Sequence, residues 1–407
     1  MPRSTFLFVL VIGLAGLLLA RESRQPAGSL AGVDRAFFDW LSENSRLARQ
    51  ASTGTVTLVE IDDTVAETPG RLPLGPLEYG AFLKSVEQFD PAVVAVAPVL
   101  DWAQSSAGSE QILLDQALAV PRLLLAVRLG SSVENSRDPG SLGTLGDVRG
   151  SVAAVPEFPE VVGAPVPALL AVSGGSGAIN LPGDEKAPVR DLPLVLRCRD
   201  RLVPTFALET LRLSLRLAPA EVSVVPGSHV QFGDRLRVPI DRAGRALLDP
   251  RALDRINRLT LDDLALVTAG QAAPEARAAA ERMRGGIVLI GRTDKAIRAF
   301  HLPGGRAISQ TEVFALAAAS LARTPALRHA GVGWDAGIIA GFALLGWRLL
   351  RARRSTALVV CAATLALYAL AALSLFEAGG LWLPGALPVG LTFTVGLLVW
   401  LRVAPPA

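Results

Sequence analysis

Cysteine is almost missing from this chain of 407 residues, which has two. Cys198 lies in LVLRCRD, in the stretch read as water-soluble, and Cys361 lies inside a long apolar run. The two have no way to meet, so the fold must be held by its core and not by disulfides. Histidine is nearly as scarce. His229, His301 and His329 show no HExxH or other paired spacing, which argues against a metal site. There is no Gly-x-Ser-x-Gly elbow, and Cys198 has no histidine near it in sequence, so nothing points to covalent catalysis. Gly174-Gly175-Ser176-Gly177 lacks the Gly-Lys-Ser/Thr ending of a phosphate loop, and a strand follows it where a helix is needed. Net charge is only +3, and no basic stripe with interleaved aromatics occurs, which excludes nucleic acid as a partner. The expectation is a protein that is not an enzyme and carries no cofactor.

Apolar sequence is what the chain has in quantity: 51% of its residues are hydrophobic, so spans must be sought first. A helix that crosses a bilayer needs ~20 mostly apolar residues. Three such stretches follow Gly333: WDAGIIAGFALLGWRLL, TALVVCAATLALYALAALSLF and LWLPGALPVGLTFTVGLLVWLRV. A further apolar run covers residues 6–20. Loops that stay inside carry the excess of Lys and Arg. Arg3 precedes the first run, Arg348, Arg351, Arg353 and Arg354 crowd the junction between the second and third, and Arg402 closes the fourth. The connection from Glu377 to Gly380 has neither residue. Trp334, Trp347, Trp382 and Trp400 sit near span ends, where indole rings favour the interface. Together these predict a multi-pass protein of the inner membrane, with four spans, both termini inside and one large domain outside. The first run reads as an uncleaved anchor, because Leu18 stands where a signal peptide would have a small residue. With only APPA after the last run, no output domain is expected within the chain.

The expected division is an anchor and linker at 1–29, an extracytoplasmic domain at 30–328 and a three-helix membrane region with a short tail at 329–407. Residues 32–50 read as a helix leading out of the membrane. TVTLVEI at 55–61, a helical pattern at 77–89 with Leu77, Phe82, Leu83 and Val86 on one side, and AVVAVAPVL at 92–100 make a βαβ unit. A helix at 108–119 and the run RLLLAVRL at 122–129 repeat it. Later strands are expected at 176–181, 191–197, 236–240 and 285–291, with helices at 204–217, 273–284 and 310–323. The fold class is α/β: a three-layer domain with a mainly parallel sheet and an antiparallel appendage, plus four transmembrane helices.

An ordered set of strings runs through this domain: VTLVEIDD, AVVAVAPVLDW, GAINLPGDEKAPVRDLPLVL, TFALETLRL, LRVPIDRAGRALLDP and GGIVLIGRTD. In this order, and with one apolar run before and three after, it resembles the second class of the CHASE sensory family of bacteria. That resemblance implies an extracytoplasmic sensor followed by three membrane helices, usually continuing into a histidine kinase or a nucleotide or diguanylate cyclase. The chain departs from the family at RLPLG (71–75), at Ala97-Pro98 and in RTDKAIRAFHLPGGRAISQ, positions that bear on any ligand pocket.

In open parallel sheets, ligands sit outside the carboxyl ends of the strands. Asp62 and Asp63 lie at one such end, Asp101 follows the second strand, and Arg292, Thr293 and Asp294 follow GGIVLIG. The candidate ligand-binding residues are therefore Asp62, Asp63, Asp101, Arg292 and Asp294. Asp is also a preferred cap and turn residue, so the same positions fit a purely structural role. The expected function is sensing, with the signal passed through the membrane helices to a separate partner protein of signalling or envelope type. The alternative is a degenerate sensor kept as an envelope scaffold or assembly factor. Expected partners are the membrane, that protein, a small ligand of unknown identity and a second copy of the chain as a homodimer.

Overall fold

A computed structural model describes residues 3–25, 28–45, 56–102, 106–131, 142–143, 145–181, 187–322, 326–349 and 352–401. They divide into two compact units, one formed by 51–326 and the other by 1–50 together with 327–407.

The first unit is built on a sheet of seven strands: β1 (Val56–Ile61), β2 (Val93–Val96), β3 (Leu123–Gly130), β4 (Glu160–Gly163), β5 (Gly175–Ala178), β6 (Asn257–Thr260) and β7 (Ile287–Arg292). Their order is β6-β1-β7-β2-β3-β4, and β5 also pairs with β3. Every pairing is parallel except that of β3 with β4. Alternate residues feed two separate cores. Leu58, Ala95, Leu124 and Leu289 pack with helices Phe206–Ser214 and Gln310–Leu321. Val59, Val94, Leu125 and Ile290 pack with helices Pro76–Glu87, Ala107–Ala119, Leu261–Thr268 and Pro274–Glu281. Burial on both faces explains why these strands read as unbroken apolar runs. Antiparallel hairpins through Val222–Val225, His229–Phe232 and Leu236–Pro239 add to the first core. Cys198 ends a strand paired with Arg201–Pro204, and its thiol is buried and free.

Helix starts follow their capping chemistry. Pro76 opens its helix, and Glu78 reaches back to accept from the Gly75 amide at 3.0 Å. Ser309 accepts from the Glu312 amide at 3.2 Å while Glu312 accepts from the Ser309 amide at 2.8 Å, a reciprocal box that starts Gln310–Leu321. Several details differ from expectation. Leu77 is exposed, and Tyr79 takes the inward position beside Phe82, Leu83 and Val86. Strand β6 was not anticipated, because NRLT alternates polar and apolar residues at a sheet edge and carries no apolar run.

The second unit is helical. Arg3–Ser23, Val332–Leu349, Arg354–Gly379 and Ala386–Leu401 share a core of Phe8, Ile12, Phe342, Cys361, Leu391 and Val395 among others. Gly346 permits a close approach: a Cβ there would meet Ile12 Cδ1 at 2.6 Å. Helix Ala31–Asn44 belongs here too. Phe38 packs edge-on against Phe376 and beside Trp382, and the buried Asp34 accepts from the Gly385 and Ala386 amides, each at 2.7 Å. Among the described residues one helix, Arg354–Gly379, is long and apolar enough to cross a membrane, with a mean hydropathy of 2.3. Val332–Leu349 has 18 residues and includes Asp335 and Arg348, and Ala386–Leu401 has 16.

Candidate ligand site at the strand ends

The strand order sets β6, β1, β7 and β2 side by side, all pointing the same way, so their carboxyl ends share one edge. Ile61 and Arg292 are register partners, and the Thr293 amide donates to Ile61 O at 3.0 Å. Asp62, Asp63, Arg292 and Asp294 are therefore brought together. Asp101 follows β2 on an exposed segment.

Each of the four has a local task. Asp62 caps helix Asp63–Glu67: its Oδ1 accepts from the Thr64 amide at 3.1 Å, the Val65 amide at 3.3 Å and Thr64 Oγ1 at 2.6 Å. Asp63 reaches across to β7's loop, accepting from the Lys295 amide at 2.9 Å and lying 3.4 Å from Lys295 Nζ. The Lys295 amide is the main reason the Asp63 carboxyl titrates below its ordinary value. Asp294 is 2% exposed and forms a fork with Arg292, Nε to Oδ2 at 2.8 Å and Nη2 to Oδ1 at 3.1 Å. Asp62 thus serves as a helix cap, and Arg292 stays at the edge with its side chain 39% exposed.

Neighbours that the sequence did not single out complete the edge. By alternation from Ile290, Arg292 falls on the face of helix Pro76–Glu87, where Tyr79 is buried. Tyr79 meets the Trp102 ring at 5.9 Å, and Trp102 Nε1 donates to Leu74 O at 3.1 Å. Burial, then the charge of Glu78, raise the Tyr79 phenol above its usual range, and Arg292 opposes them. Arg71 pairs with Asp262 just beyond β6. An aromatic beside LPLGPLE gave no hint of its role, since Tyr79 occupies an ordinary core position.

The other face of the same strands carries a second charge cluster. Arg258 of β6 donates to Glu60 of β1 at 2.5 Å and to Glu312 of helix Gln310–Leu321 at 2.8 Å. Between the two clusters sits Gly291. A Cβ there would meet Thr311 Cγ2 at 2.7 Å, so helix and strand can touch only because this residue is glycine. Gly174 to Gly177 is no phosphate loop. Gly175–Ala178 forms β5, and the Gly174 carbonyl accepts from Arg212, whose buried pair with Glu209 floors a recess of about 240 Å³. Burial first, against Arg212, lifts the Glu209 carboxyl. Among the described residues no three His, Cys, Asp or Glu side chains are grouped to hold a metal.

A model of the CHASE2 domain family matches residues 7–350. No curated protein and no solved structure matches the chain.

Proposed function

The chain belongs to the CHASE2 domain family, a family of periplasmic sensory domains, and on that footing we propose that it is a multi-pass membrane sensor. Its α/β unit monitors a small ligand at the strand ends outside the cell membrane. A change there passes down helix Gln310–Leu321 into the apolar helices and on to a signalling or envelope protein that touches them. The observation that carries this reading is the end of β7. Adjacent residues face opposite ways: Arg292 toward the strand-end edge, Gly291 against Thr311. One small movement of β7 would be felt by both the site and the helix that leads to residue 327 and beyond. The multi-pass part draws support from the helical unit's outer surface, where Leu14, Leu17, Leu358, Val359, Leu367 and Phe393 are exposed. A helix bundle dressed in aliphatic residues suits lipid far better than water.

Two experiments test it. Alkaline phosphatase fused after Gly380 is expected to be active and after Arg353 inactive, and activity at Arg353 would sink the multi-pass topology. A small-molecule screen by thermal shift, run on the full chain in detergent, is expected to yield compounds that stabilise wild type and do not stabilise Arg292→Gln. A hit that ignores Arg292→Gln would place sensing elsewhere. The scaffold reading draws its support from Asp62, Asp63 and Asp294, whose carboxylates are all engaged within the chain.

A further inference from the structure

We infer that the recess over the Glu209–Arg212 pair is a second binding site, for a small neutral polyhydroxy molecule of the monosaccharide and polyol class. It is separate from the strand-end edge. Gly175 pairs with Leu124 near the amino end of β3, and β3, β2, β7 and β1 run parallel, so the recess lies at the end of the sheet away from Asp62 and Arg292.

The floor of the recess is an ion pair whose members are 1% and 5% exposed, Glu209 and Arg212. Arg212 Nε lies 3.1 Å from Glu209 Oε1 and 2.9 Å from Oε2, and Nη2 donates to Oε2 at 2.5 Å. Nη2 also donates to the Gly174 carbonyl at 3.3 Å, and Nη1 to Leu217 O at 2.7 Å. The second N–H of Nη1 has no acceptor among the described residues, and Oε1 keeps a lone pair. The floor therefore has both donor and acceptor capacity left, and no net charge. An anion would meet Glu209 there and a cation Arg212, with little water to screen either. Hydroxyl groups donate and accept without bringing a charge. Glycine keeps the pair uncovered: a Cβ on Gly175 would stand 3.0 Å from both Arg212 Nη2 and Glu209 Oε2. Packing alone does not call for such a pair, since apolar residues of equal volume stabilise a core as well or better. Leu142, Leu170 and Pro219 add apolar wall, which suits the C–H face of a sugar. The recess measures about 240 Å³. A cavity of about 150 Å³ takes benzene, so there is room here for roughly ten non-hydrogen atoms, the size of a pentose. Phe206, on the helix that carries the pair, meets the Phe314 ring of helix Gln310–Leu321 at 5.1 Å, which gives occupancy a short path to that helix.

The test is titration calorimetry on the full chain, in a detergent without a sugar headgroup, with xylose, xylitol, the anion xylonate and 1-pentanol. Wild type is expected to bind xylose or xylitol, and to bind xylonate and pentanol about tenfold more weakly or not at all. Leu170→Trp narrows the recess from a half-buried position, and Gly175→Ala sets a methyl over the ion pair. Each is expected to weaken binding of the neutral sugar or polyol about tenfold or more. Glu209→Gln leaves Arg212 its charge, so the preference is expected to turn toward xylonate. Leu170→Trp keeps the test decisive if either of the other two variants fails to fold. Xylonate or pentanol bound by wild type as tightly as xylose overturns the neutral polyhydroxy class, and so does an unchanged preference in Glu209→Gln. Binding untouched by Leu170→Trp overturns the site. Binding of neither xylose nor xylitol overturns the inference and leaves the recess as solvent beside a structural pair. The strand-end reading stands or falls separately, on its own test with Arg292→Gln.

Discussion

Two clusters of charge flank the same strands on opposite faces, and they are finished to different degrees. On the side of helix Gln310–Leu321, Arg258 divides its guanidinium between Glu60 and Glu312, and Glu312 spends its other oxygen on the Ser309 amide. On the side of helix Pro76–Glu87, Arg292 pairs with the buried Asp294 through Nε and Nη2 and stays 39% exposed at the edge. The first cluster behaves as a structural tie between β6, β1 and the exit helix. The second leaves its guanidinium partly open at the strand-end edge. Saturation separates a brace from a site more sharply than residue type does, because both clusters are made of the same ions.

The comparison can be broken most forcefully at Arg258. Arg258→Ala leaves Glu60 and the almost fully buried Glu312 facing each other with no cation between them. Loss of one member of a buried ion network costs about 3 kcal/mol, so a large fall in melting temperature is expected. An unchanged melting temperature would show that the tie is ornamental. Gly291→Ala comes next. The new methyl meets Thr311, and overpacking of that kind costs roughly 1–3 kcal/mol. Thr311→Ala in the same chain should return most of the loss, and a double variant that stays as unstable as the single one contradicts the contact. Asp62→Ala removes a cap and should cost about 1 kcal/mol, while Asp62→Asn, itself a good cap, should cost little. Equal losses would point to a role for the carboxylate's charge beyond capping.

The smallest effect concerns pH. The Lys295 amide holds Asp63 below its ordinary value of 3.8, so the native state binds fewer protons there than the unfolded chain. Stability from this contact is present above pH 3.8 and is lost as pH falls through the lowered value. Asp63→Asn should flatten the wild-type dependence of melting temperature in that acid range alone. A difference from wild type that does not shrink as the pH falls through that range would contradict the assignment.

Much of the α/β architecture was legible in the sequence because parallel strands covered on both faces must be continuously apolar, as in VTLVEI and IVLIG. β6 escaped because an edge strand can be half polar: Asn257 donates to Thr57 Oγ1 and Arg258 to Glu60, contacts that no periodicity reveals. At the strand ends, β1 and β7 are neighbours, which sets Asp62 and Asp63 beside Arg292 and Asp294. Sequence position did not foretell which of them would be consumed by caps and pairs. Tyr79 and Trp102 were hidden for a different reason, because an aromatic at a strand-end edge and one deep in a core look alike in sequence. The count of membrane spans was least legible in structure, since Asp335 and Arg348 dilute one helix and Ala386–Leu401 is short.

The central claim is that the strand-end edge and helix Gln310–Leu321 respond together through β7. Hydrogen exchange on the full chain, comparing wild type with Asp294→Asn, tests it most directly, because that change loosens the Arg292 fork without altering side-chain size. The account predicts faster exchange in residues 310–321 as well as at 292–298. Exchange that changes only at 292–298, with the helix untouched, would contradict it.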